Sequence, residues 1–147
     1  MAKEYSINGR SVADFIEAIA DKIDNLETEF SERDSRILLI TYDMKNCNRS
    51  KEEFDNELQD NNVRRAVITG LMEEIEARFL SESSYAYLTV LTAEEFYNQV
   101  FAFISENCDN FWVINLNEDH EGFSNEDIDY LDEGNDISDF LDNHLPL

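Results

Sequence analysis

Carboxylates dominate the residues of this chain that could do chemistry. After Arg78 the sequence holds sixteen Asp and Glu, with no Lys and no Arg. Eleven of the sixteen lie in the last thirty residues: Glu118, Asp119, Glu121, Glu126, Asp127, Asp129, Asp132, Glu133, Asp136, Asp139 and Asp142. Unpaired carboxylates on a folded body repel one another, and their summed field attracts basic surfaces. These eleven are the expected binding residues. Along a continuous helix, thirty residues would extend ~45 Å, or ~4 Å per carboxylate, close to the ~3.4 Å per phosphate of one DNA strand. That spacing permits mimicry of a nucleic acid. The plainer alternative is a solvated acidic face, although ordinary solvated faces mix both signs.

Oxygen ligands in such number could also hold a divalent ion. Asn117-Glu118-Asp119-His120-Glu121-Gly122 begins like a calcium loop, but Ile128 stands where the bidentate Glu belongs and Ser124 where an apolar residue belongs. An EF-hand is excluded. A looser site among Asp127, Asp129, Asp132 and Asp136 is the remaining metal reading, and no resident metal or cofactor is expected. Cys47 falls between a strand and a helix start, where the helix dipole favours a thiolate. No His lies near it in sequence, and Glu53 occupies the arginine position of a C-x5-R phosphatase loop. Tyr42-Asp43 ends a strand, the place where an α/β domain carries functional groups, yet one carboxylate makes no acid/base pair. His120 and His144 stand among carboxylates, which favour their charged form and suit weak switching better than catalysis. No phosphate loop, nucleophile elbow, His-Glu-x-x-His or Cys-x-x-Cys occurs. A binding protein is therefore expected and not an enzyme. The alternatives are a small carboxylate-dependent enzyme using Tyr42, Asp43 and Cys47, or an adaptor whose charge serves solubility alone.

At 147 residues, 42% of them hydrophobic, with ten Phe, six Tyr and one Trp, the chain is long enough for one domain with a real core. One proline and four glycines argue against linkers and against a many-turned β fold. The first residues lack the basic and apolar runs of a signal peptide, and no stretch approaches the ~18 apolar residues of a membrane span. A cytoplasmic location is expected, with Cys47 and Cys108 as two thiols in a reduced compartment and a single disulfide as the alternative that nothing in the sequence supports. The net charge of −23 opposes phosphate backbones and anionic lipid. Direct nucleic-acid or membrane binding is thus not expected, whereas a basic, nucleic-acid-binding protein is. Homo-oligomerisation stays open.

The elements that must position these groups follow from periodicity. Residues 11–29 carry Val12, Phe15, Ile16, Ile19, Ile23 and Leu26 at helical spacing behind Ser11 as N-cap. Residues 35–44 form a continuous apolar run of strand length, as in strands buried on both faces. Ser50 and Glu53 fit a capping box for a short helix through Leu58, which Asn61-Asn62 interrupts. A further helix spans 63–80, with Gly70 allowing close packing. Residues 85–91 and 111–116 are strands flanking a helix that Thr92 and Glu95 cap and that runs to about 107, an arrangement expected to be a βαβ unit. Tyr85, Tyr87, Tyr97, Tyr130 and Trp112 exceed what a small core needs and could serve an interface. From 118 onward Phe123, Ile128, Leu131, Phe140 and Leu141 interleave the acids, enough to dock a folded, helical segment on the body.

The expected fold is therefore a single α+β or α/β domain with a three- or four-stranded sheet, packed helices and a docked acidic segment at 118–147. In charge and size the chain resembles the acidic DNA mimics of bacteriophages, which block restriction enzymes, CRISPR effectors or other DNA-binding proteins, and the acidic immunity proteins that neutralise nuclease toxins. The resemblance implies a stoichiometric inhibitor. It rests on no motif and transfers no residue.

Overall fold

The computed structural model describes residues 5–116. They form a single small α+β domain in which every paired strand is antiparallel to its neighbour. A short hairpin, β1 (Ser6–Ile7) and β2 (Arg10–Ser11), opens the chain. Its turn is Asn8-Gly9, both at positive φ, the geometry that matches the twist of a two-residue hairpin. Helix α1 (Val12–Glu29) follows, and the Ser11 hydroxyl accepts the Ala13 N–H as its N-cap.

Strand β3 (Arg36–Asp43) is central. The expected capping box at Ser50 does not form. Ser50 is the first residue inside α2 (Ser50–Glu53), and its hydroxyl donates to the carbonyls of Cys47 and Gln59. Glu53 instead reaches across to accept from Ser105 Oγ and the Glu106 N–H. The short helix ends at Glu53 and does not run through Leu58, a separate 3-10 turn at Glu57–Gln59 leads to α3 (Asn61–Glu74), and Asn61-Asn62 open this helix behind Asp60 as N-cap.

Helix α3 also ends sooner than its apolar spacing predicts. Glu76 adopts φ +59°, its N–H donates to the Glu73 carbonyl and the Ala77 N–H donates to Met72, a Schellman closure. Arg78 to Leu80 then belong to a strand, β4 (Arg78–Ser81), and not to the helix. Strand β5 (Ser84–Thr89), α4 (Ala93–Val100), a 3-10 turn at Phe101–Phe103 and β6 (Asn110–Asn115) complete the body. The Thr92/Glu95 capping box is present in full.

The four-stranded sheet has the order β4-β5-β3-β6. β5 and β6 run parallel and are joined through α4, as in a βαβ unit, but β3 lies between them, antiparallel to both. That insertion replaces the parallel pairing of an α/β sheet with an antiparallel one. Alternation along the strands gives the sheet two unlike faces. Leu38, Ile40 and Tyr42 of β3 and Tyr85 and Tyr87 of β5 face the helices and form one core with Ile19, Ile23, Val67, Leu71 and Phe96. Within it α1 and α3 pack so closely that a Cβ at Gly70 would overlap Ile16 Cδ1. Ile37 and Ala86 face the other way, with Leu80, Leu88 and Leu116 packed round them.

Candidate functional site

All eleven carboxylates expected to bind a partner lie outside the described residues, as do His120, His144, Tyr130, the calcium-like stretch 117–122 and the docked-segment expectation for 118–147. What residues 5–116 do show is how the rest of the charge is arranged. They carry 22 carboxylates against 10 Lys and Arg, yet three ion pairs form among them: Arg33–Glu95, Lys45–Asp43 and Arg64–Asp109.

Helix α1 concentrates the unpaired acids. Its apolar face is turned inward by Val12, Ile19 and Ile23, which leaves Asp14, Glu17, Asp21 and Asp24 exposed on the opposite side. At 100° per residue the four fall within about an 80° arc, and they span ~15 Å of axis. Three neighbouring like-charge pairs at i,i+3 or i,i+4 oppose the helix by about 1 kcal/mol together. The last turn has no basic residue to answer the helix dipole. None of the four has a Lys or Arg nitrogen within 4 Å among the described residues. On the inward flank of the same helix, Glu27 is handled differently: its Oε2 accepts from the Tyr87 hydroxyl at 2.8 Å and the Thr89 hydroxyl at 2.6 Å.

The catalytic alternative disperses. Tyr42 sits on the helix-facing side of β3, while its neighbour Asp43 is exposed and 3.6 Å from Lys45 Nζ. Cys47 is not a thiol: it is joined to Cys108 in a disulfide with a Cα–Cα distance of 5.8 Å, which corrects the expectation of two free cysteines. Its sulfur has no nucleophilic role while that bond stands.

Tyr42 does line a cavity of about 380 Å³ with Thr69, Phe79, Tyr85, Arg65 and Glu73. The Tyr42 hydroxyl is 2.8 Å from Thr69 Oγ1, and the Tyr42 and Tyr85 rings stack 6.3 Å apart. Burial pushes both phenols above the ordinary tyrosine range, so neither is a base near neutral pH. Arg65 is held at the rim by the Met44 carbonyl and Asn62 Oδ1. The cavity, which Ala77, Glu82 and Ser83 also line, thus offers hydroxyls, carboxylates and aromatic walls. No group of three or more His, Cys, Asp or Glu among the described residues could hold a metal ion. No helix among them is long and apolar enough to cross a membrane.

The one buried charge pair among the described residues is architectural. Arg64 of α3 donates from Nε and Nη2 to both carboxylate oxygens of Asp109, at 2.9 and 3.0 Å, and from its remaining N–H groups to the carbonyls of Leu58, Gln59 and Lys45. Asp109 also accepts the N–H groups of Lys45 and Ser105. Arg64 therefore ties the 45–59 region to the 105–109 turn, the same two segments that Cys47–Cys108 joins. Sequence reasoning missed this node. Its signal was faint: Arg64 stands one turn before Ile68, on the edge of the apolar stripe that α3 buries.

Of the aromatics expected at an interface, Tyr85 and Tyr87 are core and Tyr97 is half-buried, whereas Trp112 of β6 is 63% exposed. Comparison with protein-family models, with curated proteins and with solved structures gives no match to this chain.

Proposed function

We propose that this protein is an acidic inhibitor that occupies the basic nucleic-acid site of a target protein, in the manner of phage antirestriction and anti-CRISPR proteins or of nuclease immunity proteins. The exposed stripe Asp14, Glu17, Asp21 and Asp24 carries the reading, because it holds four carboxylates on one helix face, without an ion pair among the described residues, at a local cost to that helix. A surface serving solubility alone has no need of such uniformity, since mixed charges at modest net value keep a protein dispersed. The eleven carboxylates from Glu118 onward extend the same sign along the chain. On this reading the field steers a basic partner into contact, and carboxylate–arginine pairs hold it there.

Competition tests the proposal. The immobilised protein is exposed to a heparin-binding protein fraction, the captured protein is purified, and duplex DNA or RNA is titrated against the complex. Displacement of the inhibitor by nucleic acid is the expected result. A stable ternary complex, with the nucleic-acid site still open, would overturn the proposal.

A further inference from the structure

The cavity beside Tyr42 is built from three directions. Arg65, Thr69 and Glu73 line it from α3 at i, i+4 and i+8, one face of the helix. Phe79 of β4 and Tyr85 of β5 line it from the sheet, and Glu82 and Ser83 from the turn between those strands. Ser83 holds φ +77°, a conformation glycine adopts more easily, and its carbonyl accepts the Tyr42 N–H at 3.0 Å. The turn is thereby fastened to β3. The volume of about 380 Å³ lies at the lower end of the ~300–1,000 Å³ of small-ligand sites. That suits a small ligand or the end of one long side chain.

We propose that this cavity binds an organic monocation, an alkylguanidinium or alkylammonium group, between its aromatic walls and its carboxylates. Two carboxylates, Glu73 and Glu82, line it against one guanidinium, and neither has a Lys or Arg nitrogen within 4 Å among the described residues. Both acids are exposed, whereas Tyr42 and Tyr85 are buried, so the charge stands at the mouth and the rings at the floor. The Phe79 and Tyr85 rings meet at 87° with centroids 5.5 Å apart, and Glu73 is near enough for its charge to act on the Tyr85 phenol. Rings at right angles beside a carboxylate are the elements of an aromatic cage, which holds a cation by its charge and its apolar surface together. Arg65 does not close the site to a cation. Its Nη1 and Nη2 donate to Asn62 Oδ1 at 3.0 Å and the Met44 carbonyl at 2.8 Å, which draws it away from Glu73, about two turns further along α3. The field of a chain at −23 also concentrates cations at a cleft and repels anions from it. A free small molecule and the arginine or lysine side chain of a protein share this chemistry. The inference stands apart from the function proposed above, since a cavity for a cation does not require that its bearer bind nucleic acid.

Titration of the full-length protein with n-butylguanidinium, followed by nuclear magnetic resonance, tests the site, with n-butylurea as the neutral isostere. The expected result is saturable shifts centred on the ring protons of Tyr42, Phe79 and Tyr85, and none with the urea. Glu73→Gln with Glu82→Gln, both at exposed positions, should weaken binding about fivefold or more. The Glu17→Gln, Asp21→Asn, Asp24→Asn protein keeps the cavity and should bind within about twofold of the wild type, since those charges act only through a screened field. A second arm uses the blocked peptide acetyl-Gly-Arg-Gly-amide. Binding as tight as that of butylguanidinium or tighter assigns the site to a protein side chain, and weaker binding to a free small molecule; either supports the proposal. Shifts spread over the acidic surface without saturation would show charge attraction alone and overturn it. So would equal shifts with butylurea, equal weakening by the α1 substitutions, or no response to either cation.

Discussion

Arg64–Asp109 and the outer stripe of α1 are opposite uses of charge in one small domain. At the first, every N–H of a buried guanidinium has an acceptor, and the carboxylate accepts from two backbone N–H groups besides. At the second, four carboxylates stand in a row with no Lys or Arg nitrogen within 4 Å among the described residues. The contrast teaches that pairing was available to this fold: Arg64–Asp109 and Arg33–Glu95 join distant segments, Lys45–Asp43 is local, and among the described residues no pair forms on the outer stripe of α1. Where charge faces outward on α1, it is left unanswered. The same division separates the two carboxylates that α1 presents on different flanks, Glu27 held by two hydroxyls and Asp24 by none in the hydrogen-bond network described above.

If that contrast is real, its two sides should respond to substitution with different size and sign. Breaking the buried pair should have the largest effect. Arg64→Ala or Asp109→Ala leaves a buried charge unpartnered and should lower the unfolding free energy by about 3–5 kcal/mol, measured by urea denaturation. The double substitution should cost less than the sum, because each single variant already contains the orphaned partner.

The disulfide spans the same corner by a different means, and its sequence separation of 61 residues gives a large closed loop. Removing it as Cys47→Ser with Cys108→Ser should cost about 2–4 kcal/mol. A loss well below this would mean that Arg64–Asp109 alone holds the corner.

Neutralising the outer stripe should move stability the other way. Glu17→Gln, Asp21→Asn and Asp24→Asn together should stabilise the protein by at most about 1 kcal/mol at low salt. Asp14 is left in place because the helix dipole favours it in the first turn. The wild-type melting temperature should rise with added salt as like charges are screened, and the gain from the substitutions should fade in parallel. A destabilised variant, or a wild type indifferent to salt, would show that the stripe is better compensated than its geometry implies.

Glu95 offers the smallest and finest distinction. The Arg33 guanidinium at 2.6 Å, seconded by the Thr92 N–H, holds its carboxyl below the ordinary 4.5. A depressed folded value contributes stability that is complete above pH 4.5 and is lost as the pH falls through the lowered value. Glu95→Gln should therefore flatten the acid limb of the stability profile below pH 4.5 and leave its shape near neutrality unchanged.

Much of this arrangement is legible in the sequence, in proportion to how local its causes are. The apolar period and Ser11 define α1, a continuous β-branched run defines β3, and Thr92 with Glu95 opens α4 as expected. The β1–β2 hairpin goes unread although Asn8-Gly9 is an equally local signal, because the flanking strands are two residues each and too short for periodicity to register. The α1 stripe is readable too, at i, i+3, i+7 and i+10, once the inward face is assigned. The misses are of two physical kinds. Ser50 and Glu53 have the residue types of a cap but find stronger partners far along the chain, and Glu76 ends α3 in a left-handed conformation that glycine ordinarily supplies. The insertion of β3 between β5 and β6, the Arg64–Asp109 pair and the Cys47–Cys108 bond all join residues distant in sequence. No local pattern specifies them.

The central claim is that the outward carboxylates recognise a basic site, and the salt dependence of binding tests it most directly. For a partner that nucleic acid displaces, the dissociation constant is measured from low to high salt for the wild type and for the Glu17→Gln, Asp21→Asn, Asp24→Asn protein. The account predicts steep weakening of the wild type with salt, with weaker binding and a shallower slope for the variant. Equal affinities and equal slopes for the two proteins would contradict it.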